Sequence, residues 1–462
     1  MTDNEFQMRL IRKTLSRGGE YADIFTEQRE QTSLVLEDGK LEKVVTGTEK
    51  GAGVRLIYKG RTSYAFSNDL SEKALLEAAS ETSKAAEGNS PDNRGINLEV
   101  RRPSVNLDVK LLPGDVALDR KIALTRKADE TSRKFDQRIK QVTVIYRDFM
   151  QKVRISASDG VLAEDDRVYT TAVVQVIAVQ DGIIQSGTEQ IGGFAGFEIF
   201  EDNDIEELSL RAARRAVMML SAKKTRGGRM PVVISSRAGG TMIHEAIGHG
   251  LEADLAQQGL SVFSGKIGAR VASPLITVID DSTLPGKRGS FRFDDEGTPS
   301  QRTVLVEKGI LRGYLYDKLS SVKDHAISTG NGRRESYRHR PIPRMTNTFI
   351  AKGSMSPDDI LSSLDNGLLV EKMGGGQVNT VTGDFVFDVQ EGYLIEKGKK
   401  GEPVKGATLT GNGPSVLESI DMVADDLGFS IGTCGKDAQG IPVSDAMPTV
   451  RIPEIVVGGA YD

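Results

Sequence analysis

Two imidazoles and one carboxylate lie close together in the sequence, at His244, Glu245 and His249. Imidazoles are common ligands of Zn²⁺, and a carboxylate beside the metal can take a proton from an attacking water. These residue types predict a zinc site that hydrolyses peptide bonds, with Glu245 as the general base. The alternative is that both histidines only pack within a helix. The chain has only four histidines, so this pairing is improbable by chance.

The spacing of the two histidines departs from that of a regular zinc-binding helix. Residues five apart on an α-helix are separated by about 140° around its axis, too far for His244 and His249 to reach one ion. A local i to i+5 widening, called a π-bulge, returns such residues to one face, and these bulges favour functional sites. The sequence therefore predicts a π-bulge at Gly248, immediately before the second histidine.

A zinc site of this kind needs a third protein ligand. The candidates are Cys434, Glu252, Asp254, His325 and His339. Cys434 lies in a glycine-flanked segment where a thiolate could approach an ion, although a lone buried cysteine is more often inert. Glu252 and Asp254 follow the second histidine closely, and they could be ligands or carboxylates that orient the imidazoles. His339 lies between two arginines, and we expect it to be solvated.

The elements that must position these residues fall into two parts of the chain. A chain of 462 residues exceeds what one hydrophobic core usually organises, so we predict two domains, 1–226 and 227–462. In the first, a helix over 4–17 precedes alternating polar and apolar runs, which predict a β-meander. The predicted strands are 21–26, 32–37, 41–46, 53–58 and 62–66, with turns at 38–40, 49–51 and 59–61.

Helices and further strands complete the predicted architecture, which we classify as α+β. Helices are expected over 71–87, over 113–136 and from residue 205, and strands over 141–147, 151–157, 168–178 and 183–190. The N-terminal domain is thus predicted to be an antiparallel meander with flanking helices. The C-terminal domain is predicted to be β-rich, either barrel-like or a curved sheet, and to carry the zinc motif on a helix over 241–255. Its strands include 275–280, 303–306, 311–316, 345–350, 385–395 and 451–457.

Composition disfavours several partners and compartments. The net charge of -5 gives no general attraction to a phosphate backbone, so direct nucleic-acid binding is not expected. No apolar stretch approaches the roughly 18 residues that span a bilayer, so no membrane association is expected. The first residues lack a signal-peptide pattern, and the single cysteine, Cys434, fits a reducing compartment. These features predict a cytoplasmic protein.

Five separated motifs resemble the TldD/PmbA family, and the TldD branch in particular. They are, in order, 244–254 (HEAIGHGLEAD), 294–298 (DDEGT), 332–337 (GRRESY), 343–348 (PRMTNT) and 433–437 (TCGKD). The resemblance extends over nearly the whole chain. Five motifs in one order are far more specific than one short pattern.

The resemblance implies a metallopeptidase with an HExxxH site whose third zinc ligand is a cysteine near the C-terminus. Carried onto this chain, it makes His244, His249 and Cys434 the zinc ligands and Glu245 the general base. It also implies a dimer, formed with a TldE/PmbA-like partner that lacks the zinc motif or with a second copy of the chain. The implied substrates are unfolded or extended polypeptides, including peptide precursors and antitoxins.

Two other functions are compatible with the sequence. Relatives have been described as gyrase modulators, so the chain could be a non-catalytic regulator of a nucleic-acid enzyme that uses zinc structurally. Against this, a structural site needs no adjacent base such as Glu245. A metal-dependent amidase for small molecules is the other possibility. It would have a closed apolar pocket at the metal in place of a long groove.

Three further segments have no assigned role at the level of sequence. The arginines of 333–344 (Arg333, Arg334, Arg338, Arg340 and Arg344) could clamp a peptide carboxylate or pair across an interface. The acidic residues of 294–296 could bind a peptide amine or a partner chain. Because charged side chains usually face solvent, we expect both segments to be solvated loops. The glycine-rich segment 374–379 could let a substrate approach the backbone, or it could be a plain flexible loop.

Overall fold

The N-terminal part of the chain is built on one seven-stranded sheet. The computed structural model describes residues 3–88 and 95–459. The strands of this sheet are β1 (Tyr21–Glu37), β2 (Lys40–Tyr58), β3 (Arg61–Ser67), β4 (Glu99–Val100), β5 (Ile139–Ala157), β6 (Val161–Gln180) and β7 (Ile183–Phe194). Six of them lie in the order β3-β2-β1-β5-β6-β4, and β7 also pairs with β6. Only β4 runs parallel to its neighbour.

Helices cover one face of this sheet. They are α1 (Asn4–Thr14), α2 (Glu72–Ser83), α3 (Leu118–Phe135), the short α4 (Ile199–Asp202) and α5 (Ile205–Ser221), with a 3-10 turn at Pro113–Asp115. Leu208 and Ala212 of α5 pack against Val174 of β6 because apolar residues recur along the helix at helical spacing. Successive strand residues point to opposite faces, so Phe25 of β1 faces away from the helices. It packs against Phe293, which belongs to the C-terminal part.

The hairpin turns lie where they are predicted, with one exception. Asp38 and Gly39 have φ values of 50° and 74°, as a tight two-residue hairpin turn requires. The predicted turn at 49–51 is wrong, because these residues lie inside β2 and pair with β1. A Cβ atom on Gly51 would lie 2.2 Å from the ring of Tyr337. This glycine therefore permits close packing within a strand. The first four of the five predicted strands form two long ones, β1 and β2, and the fifth corresponds to β3.

The C-terminal part contains a closed five-strand barrel, which confirms the barrel-like expectation. Its strands are β9 (Gly228–Ile234), β16 (Asn366–Val378), β17 (Asp384–Glu396), β19 (Thr408–Asn412) and β23 (Val450–Gly458). They lie in the order β16-β9-β23-β19-β17, and pairing between β16 and β17 closes the ring. Three further strands extend the barrel: β8 (Lys223–Lys224), β18 (Lys399–Lys405) and β20 (Met422–Val423). The division into domains at residue 226 stays a prediction.

A six-stranded sheet lies beside the barrel. Its strands are β10 (Val278–Asp281), β11 (Arg302–Glu307), β12 (Ile310–Leu311), β15 (Asn347–Ile350), β21 (Gly428–Lys436) and β22 (Gln439–Met447), in the order β12-β11-β10-β15-β22-β21. A separate pair is formed by β13 (Gly332–Arg333) and β14 (Ile342–Pro343). The strand predicted over 311–316 ends at Leu311, because Leu315 instead exchanges backbone hydrogen bonds with Leu251 and Ala253.

The remaining helices are short. They are α6 (Thr241–Ile243), α7 (Ala253–Gln257), α8 (Lys318–Lys323), α9 (Pro357–Ser362) and α10 (Gly413–Ser419), with 3-10 turns at Ser236–Ala238 and His249–Leu251 and a π-helix at His244–Gly248. The helix predicted over 241–255 is therefore a chain of short turns. Its apolar residues Ile243 and Ile247 are fully buried in one core with Val232 and Phe387 of the barrel. None of the helices in the described part of the chain is both long and apolar enough to span a membrane.

Candidate metal centre

The segment that joins the two histidines is a π-helix, as the spacing predicts. The backbone N–H of His249 donates to the carbonyl of His244, five residues earlier, and the segment His244–Gly248 has π-helical geometry. A Cβ atom on Gly248 would lie 2.1 Å from Sδ of Met345. A glycine is therefore needed at this point of the bulge, and the predicted π-bulge at Gly248 is confirmed.

The bulge brings both imidazoles next to Cys434. Nε2 of His244 lies 3.2 Å from Sγ of Cys434, and Nε2 of His249 lies 3.5 Å from the same sulfur. One ligand atom from each of the three residues lies within 4.8 Å of the others. Within residues 3–88 and 95–459, this is the one group of at least three potential ligands among His, Cys, Asp and Glu side chains.

These donor atoms fit a tetrahedral zinc site. With Zn–N near 2.1 Å and Zn–S near 2.3 Å, tetrahedral angles place a nitrogen and a sulfur ligand about 3.6 Å apart. The two nitrogen to sulfur distances, 3.2 and 3.5 Å, are close to this value. Three protein ligands leave one coordination position for water or substrate, which is the arrangement of catalytic zinc sites.

The thiol of Cys434 is disposed to lose its proton. Burial alone raises its pKa, but hydrogen bonds with His244 and His249, together with their charges, lower the pKa to about 5. The thiolate is the form of cysteine that binds metal. Cys434 reaches the histidines because the hairpin of β21 and β22 pairs it with Ile441 and turns its side chain towards the π-helix.

A buried carboxylate lies on the Nδ1 side of each imidazole, but within the described residues only that of Glu252 is within hydrogen-bond distance of its histidine. Nδ1 of His249 lies 3.1 Å from Oε2 of Glu252, and Nδ1 of His244 lies 3.8 Å from Oδ2 of Asp445. In both rings the carboxylate lies on the Nδ1 side, which leaves Nε2 for a metal. Glu252, a candidate ligand in the sequence, therefore contacts a candidate ligand instead of joining the group.

Glu252 is itself fixed by cations. Nζ of Lys436 lies 3.0 Å from it, and Nε of Arg344 lies 4.0 Å away. Burial raises the pKa of Glu252, but Lys436, His249 and Arg344 outweigh burial and lower it to about 2. Arg344 also donates a hydrogen bond of 2.5 Å to the carbonyl of Cys434. These cations thus hold the carboxylate ionised and the cysteine strand in place.

Glu245, next in sequence to His244, lines an open groove together with His249. The groove has a volume of about 450 Å³ and is also lined by Gly376 to Val378 of β16, and by Gly435 and Lys436 of β21 and its turn. Burial raises the pKa of Glu245, and the two histidines partly counter this. The structure therefore places a carboxylate where His249, one of the candidate ligands, meets solvent.

Comparison with known proteins identifies the family. Family models match three successive stretches: PmbA/TldA metallopeptidase domain 1 at 22–86, the central domain at 111–220 and the C-terminal domain at 227–459. The metalloprotease TldD homolog of Haemophilus influenzae is 39% identical, over 96% of this chain and 94% of that one. The chain belongs to the TldD/PmbA family of metallopeptidases.

Other relatives in the TldD/PmbA family agree. A metalloprotease of Methanocaldococcus jannaschii is 36% identical, over 94% of this chain and 96% of that one. A protein of Saccharolobus solfataricus, 25% identical over 97% of this chain and 99% of that one, is named a zinc metalloprotease TldD homolog. That name specifies zinc for the relative.

Solved structures share the fold. TldE from Thermococcus kodakarensis has a TM-score of 0.79 at 18% identity and covers 98% of this chain and 100% of its own. A protein of Thermotoga maritima, described as a proposed modulator of a DNA gyrase, has a TM-score of 0.82 at 23% identity and covers 99% of this chain and 100% of its own. At these identities the likeness establishes the TldD/PmbA fold alone.

The acidic and basic motifs of this TldD/PmbA chain are not the solvated loops expected from the sequence. Asp294, Asp295 and Glu296 are at most 2% exposed. Asp295 pairs with Arg167 of β6 at 2.7 Å, and Glu296 pairs with Arg55 of β2 at 2.6 Å. The motif therefore joins the C-terminal part to the N-terminal sheet. The buried ion pairs offset the loss of hydration of the carboxylates.

The arginine segment divides into a buried and an exposed group. Arg333, Arg334 and Arg344 are buried, and only Arg338 and Arg340 face solvent as expected. The N–H groups of Arg333 donate to the carbonyls of Met345 and Pro442, at 2.5 and 2.7 Å. The expectation from charge alone was wrong for these three arginines, because backbone carbonyls accept hydrogen bonds from their guanidinium groups inside the protein.

The other candidate ligands lie outside the cluster. Asp254 binds Nζ of Lys436 at 2.6 Å, and His339 lies 3.2 Å from the hydroxyl of Ser336. His325 is exposed. Sequence reasoning missed Lys436, Arg344 and Asp445 as neighbours of the site. The first two lie in the motifs 433–437 and 343–348, but Asp445 carries no signal in the sequence.

Proposed function

We propose that the chain is a zinc-dependent peptidase that cleaves unfolded or extended polypeptides. His244, His249 and Cys434 are the proposed zinc ligands, and Glu245 is the proposed general base. The observation that carries the proposal is the convergence of the three ligand atoms within 4.8 Å, with Glu245 and His249 lining one open groove. The named zinc metalloprotease of Saccharolobus solfataricus supports zinc as the metal.

The chain's own residues supply binding, orientation and proton transfer. Zinc, when bound, is a Lewis acid that lowers the pKa of a water and polarises the scissile carbonyl. Glu245 accepts a proton from the attacking water and returns it to the departing amine. Glu252 keeps Nε2 of His249 directed at the metal, and the carboxylate of Asp445 lies 3.8 Å from Nδ1 of His244.

The groove suits an extended peptide. β16 pairs with β9 only at Leu368 to Val370, although it continues to Val378. Beyond Val370, in the described part of the chain, no strand pairs with this edge of β16, and Gly376 to Val378 line the groove beside Glu245. An extended peptide can bind such an edge through its backbone, largely independently of sequence. The open groove also disfavours the small-molecule amidase, which would need an enclosed apolar pocket.

We infer that the peptidase acts in the cytoplasm as a dimer, with a TldE/PmbA-like chain or with a second copy. The shared fold with TldE from Thermococcus kodakarensis supports a partner of this type. The single cysteine supports the compartment, because the thiol must remain reduced to bind metal. A role as a gyrase regulator is the alternative that the description of the Thermotoga protein suggests for that protein.

The test compares the wild type with Glu245→Gln and Cys434→Ala, each alone and with a TldE-like chain. We expect Glu245→Gln to keep its zinc and to lose at least about 100-fold in cleavage of an unfolded polypeptide, the range of general acid-base catalysis. Cys434→Ala should lose both zinc and cleavage. Zinc is measured by metal analysis after dialysis, and cleavage by mass spectrometry of the fragments.

Two outcomes would contradict the proposal. Full activity in Glu245→Gln would remove the proposed base. Unchanged zinc affinity in Cys434→Ala would remove the proposed ligand. Asp254→Asn is the matched control for both, because Asp254 lies close to the centre but contacts Lys436 and no ligand. A wild type that binds zinc and cleaves nothing, with either partner, would favour the regulator.

A further inference from the structure

A cavity of about 480 Å³ lies between the N-terminal sheet and the hairpin of β21 and β22. We call it the arginine pocket, because seven of its lining side chains are cationic and only three are carboxylates. The cations are Arg29, Lys43, Arg147, Arg167, Arg288, Arg333 and Arg334. The chain as a whole carries a net charge of -5, so this local excess of positive charge is specific to the pocket.

Most of these cations lack a carboxylate partner. Among residues 3–88 and 95–459, five form no ion pair: Arg29, Lys43, Arg147, Arg288 and Arg333. Two of the three carboxylates are already neutralised within the protein. Asp148 pairs with Lys121, and Asp295 pairs with Arg167, in both cases with 2.6 to 2.7 Å between the charged atoms. The third, Glu335, accepts a hydrogen bond from the backbone N–H of Gly440 at 2.6 Å.

Three of the arginines without an ion pair are partly or fully withdrawn from water. Burial lowers the pKa of Arg29, and it lowers the pKa of Arg288 and Arg333 to about 10. Nε of Arg29 and Nε of Arg288 are buried without a hydrogen-bond partner within the described residues. Charges that are largely withdrawn from water are normally neutralised by an opposite charge, so three guanidinium groups without an ion pair around one cavity point to an oxyanion ligand.

The pocket and the metal centre share one strand. Thr433 lines the arginine pocket and is exposed, whereas the next residue, Cys434, is buried and points to the metal site. Successive strand residues point to opposite faces, and their Cα atoms are about 3.8 Å apart. Gly440 of the pocket pairs with Gly435 of the groove beside Glu245. A peptide that passes the end of this hairpin can thus reach both sites within a few residues.

We propose that the arginine pocket binds carboxylate side chains of an acidic stretch in the polypeptide substrate. The proposal rests on the peptidase function and adds a substrate class to it: chains with Glu or Asp close to the cleaved bond. Arginine suits this role because its planar group binds carboxylates in a bidentate manner. An acidic peptide supplies the opposite charge that Arg29, Arg288 and Arg333 lack, whereas a neutral peptide leaves them without an ion pair.

The test measures binding without cleavage. Two rhodamine-labelled, unstructured peptides differ only in a Glu-Glu or a Gln-Gln pair, and their affinities for full-length Glu245→Gln are measured by fluorescence anisotropy. We expect the Glu-Glu peptide to bind about tenfold more tightly, as two charge-assisted contacts would give. Lys43 and Arg147 are both exposed in the pocket. When Lys43→Gln and Arg147→Gln are combined with Glu245→Gln, the affinities for the two peptides should become nearly equal. High salt should weaken the preference for the Glu-Glu peptide as well.

The matched control is Lys152→Gln, which removes an exposed positive charge from the other face of β5 and should leave the ratio of the two affinities unchanged. Equal binding of the two peptides, or an equal loss in the control, overturns the proposal. Binding of inorganic pyrophosphate to the pocket without any Glu-Glu preference also overturns it, and assigns the pocket to a free anion.

Cleavage by the wild type distinguishes a failure of the acidic preference from a failure of the peptidase function. If both peptides are cleaved at equal rates and bind equally, the acidic preference fails and the peptidase function stands. If neither is cleaved with any partner, the peptidase function fails, while anisotropy still reports on the pocket.

Discussion

Glu252 contacts the proposed metal centre through His249. It is fully buried, lies 3.1 Å from Nδ1 of His249, and depends on Lys436 for its own charge. A carboxylate in this position fixes the tautomer and the orientation of the imidazole. The role of Glu252 is therefore one of positioning, and its loss should be visible in metal affinity.

We predict that Glu252→Gln weakens zinc binding roughly 10- to 100-fold, the usual effect of removing such a carboxylate. Zinc affinity is measured by competition with a chromogenic chelator. Asp254→Asn is the control, because Asp254 shares Lys436 with Glu252 but contacts neither histidine. If both variants bind zinc equally well, the positioning role of Glu252 is wrong.

The π-helix depends on a glycine at one position. Met345, which is fully buried, occupies the space in which a Cβ atom of Gly248 would lie. Overpacking of this kind typically costs about 1 to 3 kcal/mol unless the neighbour moves. Here, relaxation would also change the relative positions of His244 and His249.

We therefore expect Gly248→Ala to lower both the thermal midpoint and the zinc affinity. Met345→Ala makes room, so Gly248→Ala should cost less in its presence than in the wild-type background. A double-mutant cycle of unfolding free energies measures this coupling. Strictly additive effects would show that Met345 does not set the requirement for glycine.

At the scale of elements, the sequence was most informative where local chemistry determines local structure. The turn at Asp38 and Gly39 and the bulge at Gly248 follow from backbone requirements of nearby residues, and both are confirmed. The resemblance also paired Cys434 with the histidines, although spacing alone left several candidates open.

The predictions that are wrong concern segments whose structure depends on contacts with distant parts of the chain. The segment 49–51 looks like a turn, but Tyr337, nearly 290 residues away, explains its glycine. The motif 294–296 looks solvated, but arginines of the N-terminal sheet neutralise it. Asp445 joins the metal centre only through the pairing of strands. No local pattern records such contacts, so they could not be predicted.

Two glycines of β2 give a direct test of this distinction. We predict that Gly51→Ala lowers the free energy of unfolding by about 1 to 3 kcal/mol, because its Cβ atom would overlap the ring of Tyr337. Gly47→Ala, on the same strand with nothing within 4 Å, should be neutral or slightly stabilising. Both are measured by denaturant unfolding. Equal effects of the two changes would argue that strand propensity, and not this contact, governs Gly51.

The acidic motif 294–296 connects the two parts of the chain, and we expect it to make the stability of the whole molecule depend on pH. Oδ1 of Asp294 accepts backbone N–H groups from Glu296 and Thr298, at 3.0 and 2.8 Å. Burial, and then the charge of Glu296, nevertheless raises its pKa to about 8. In the unfolded chain an aspartate has a pKa of about 4.

The direction of the effect follows from these two values. Below about pH 4 Asp294 is protonated in both states, and between about pH 4 and 8 only the folded state keeps the proton. The contribution of Asp294 is therefore fully present at low pH and is lost as the pH rises towards 8. The slope for one group is at most about 1.4 kcal/mol per pH unit.

We predict that the free energy of unfolding of the wild type, relative to Asp294→Asn, falls steadily from pH 5.5 to pH 8, because asparagine cannot ionise. Denaturant unfolding at several pH values measures this difference. Altered hydrogen bonds in Asp294→Asn change the difference by the same amount at every pH, so they do not affect its slope against pH. Asp358→Asn, on the exposed surface of α9, is the control and should run parallel to the wild type. A difference that is flat, or that rises with pH, would mean that Asp294 is already ionised in the folded protein.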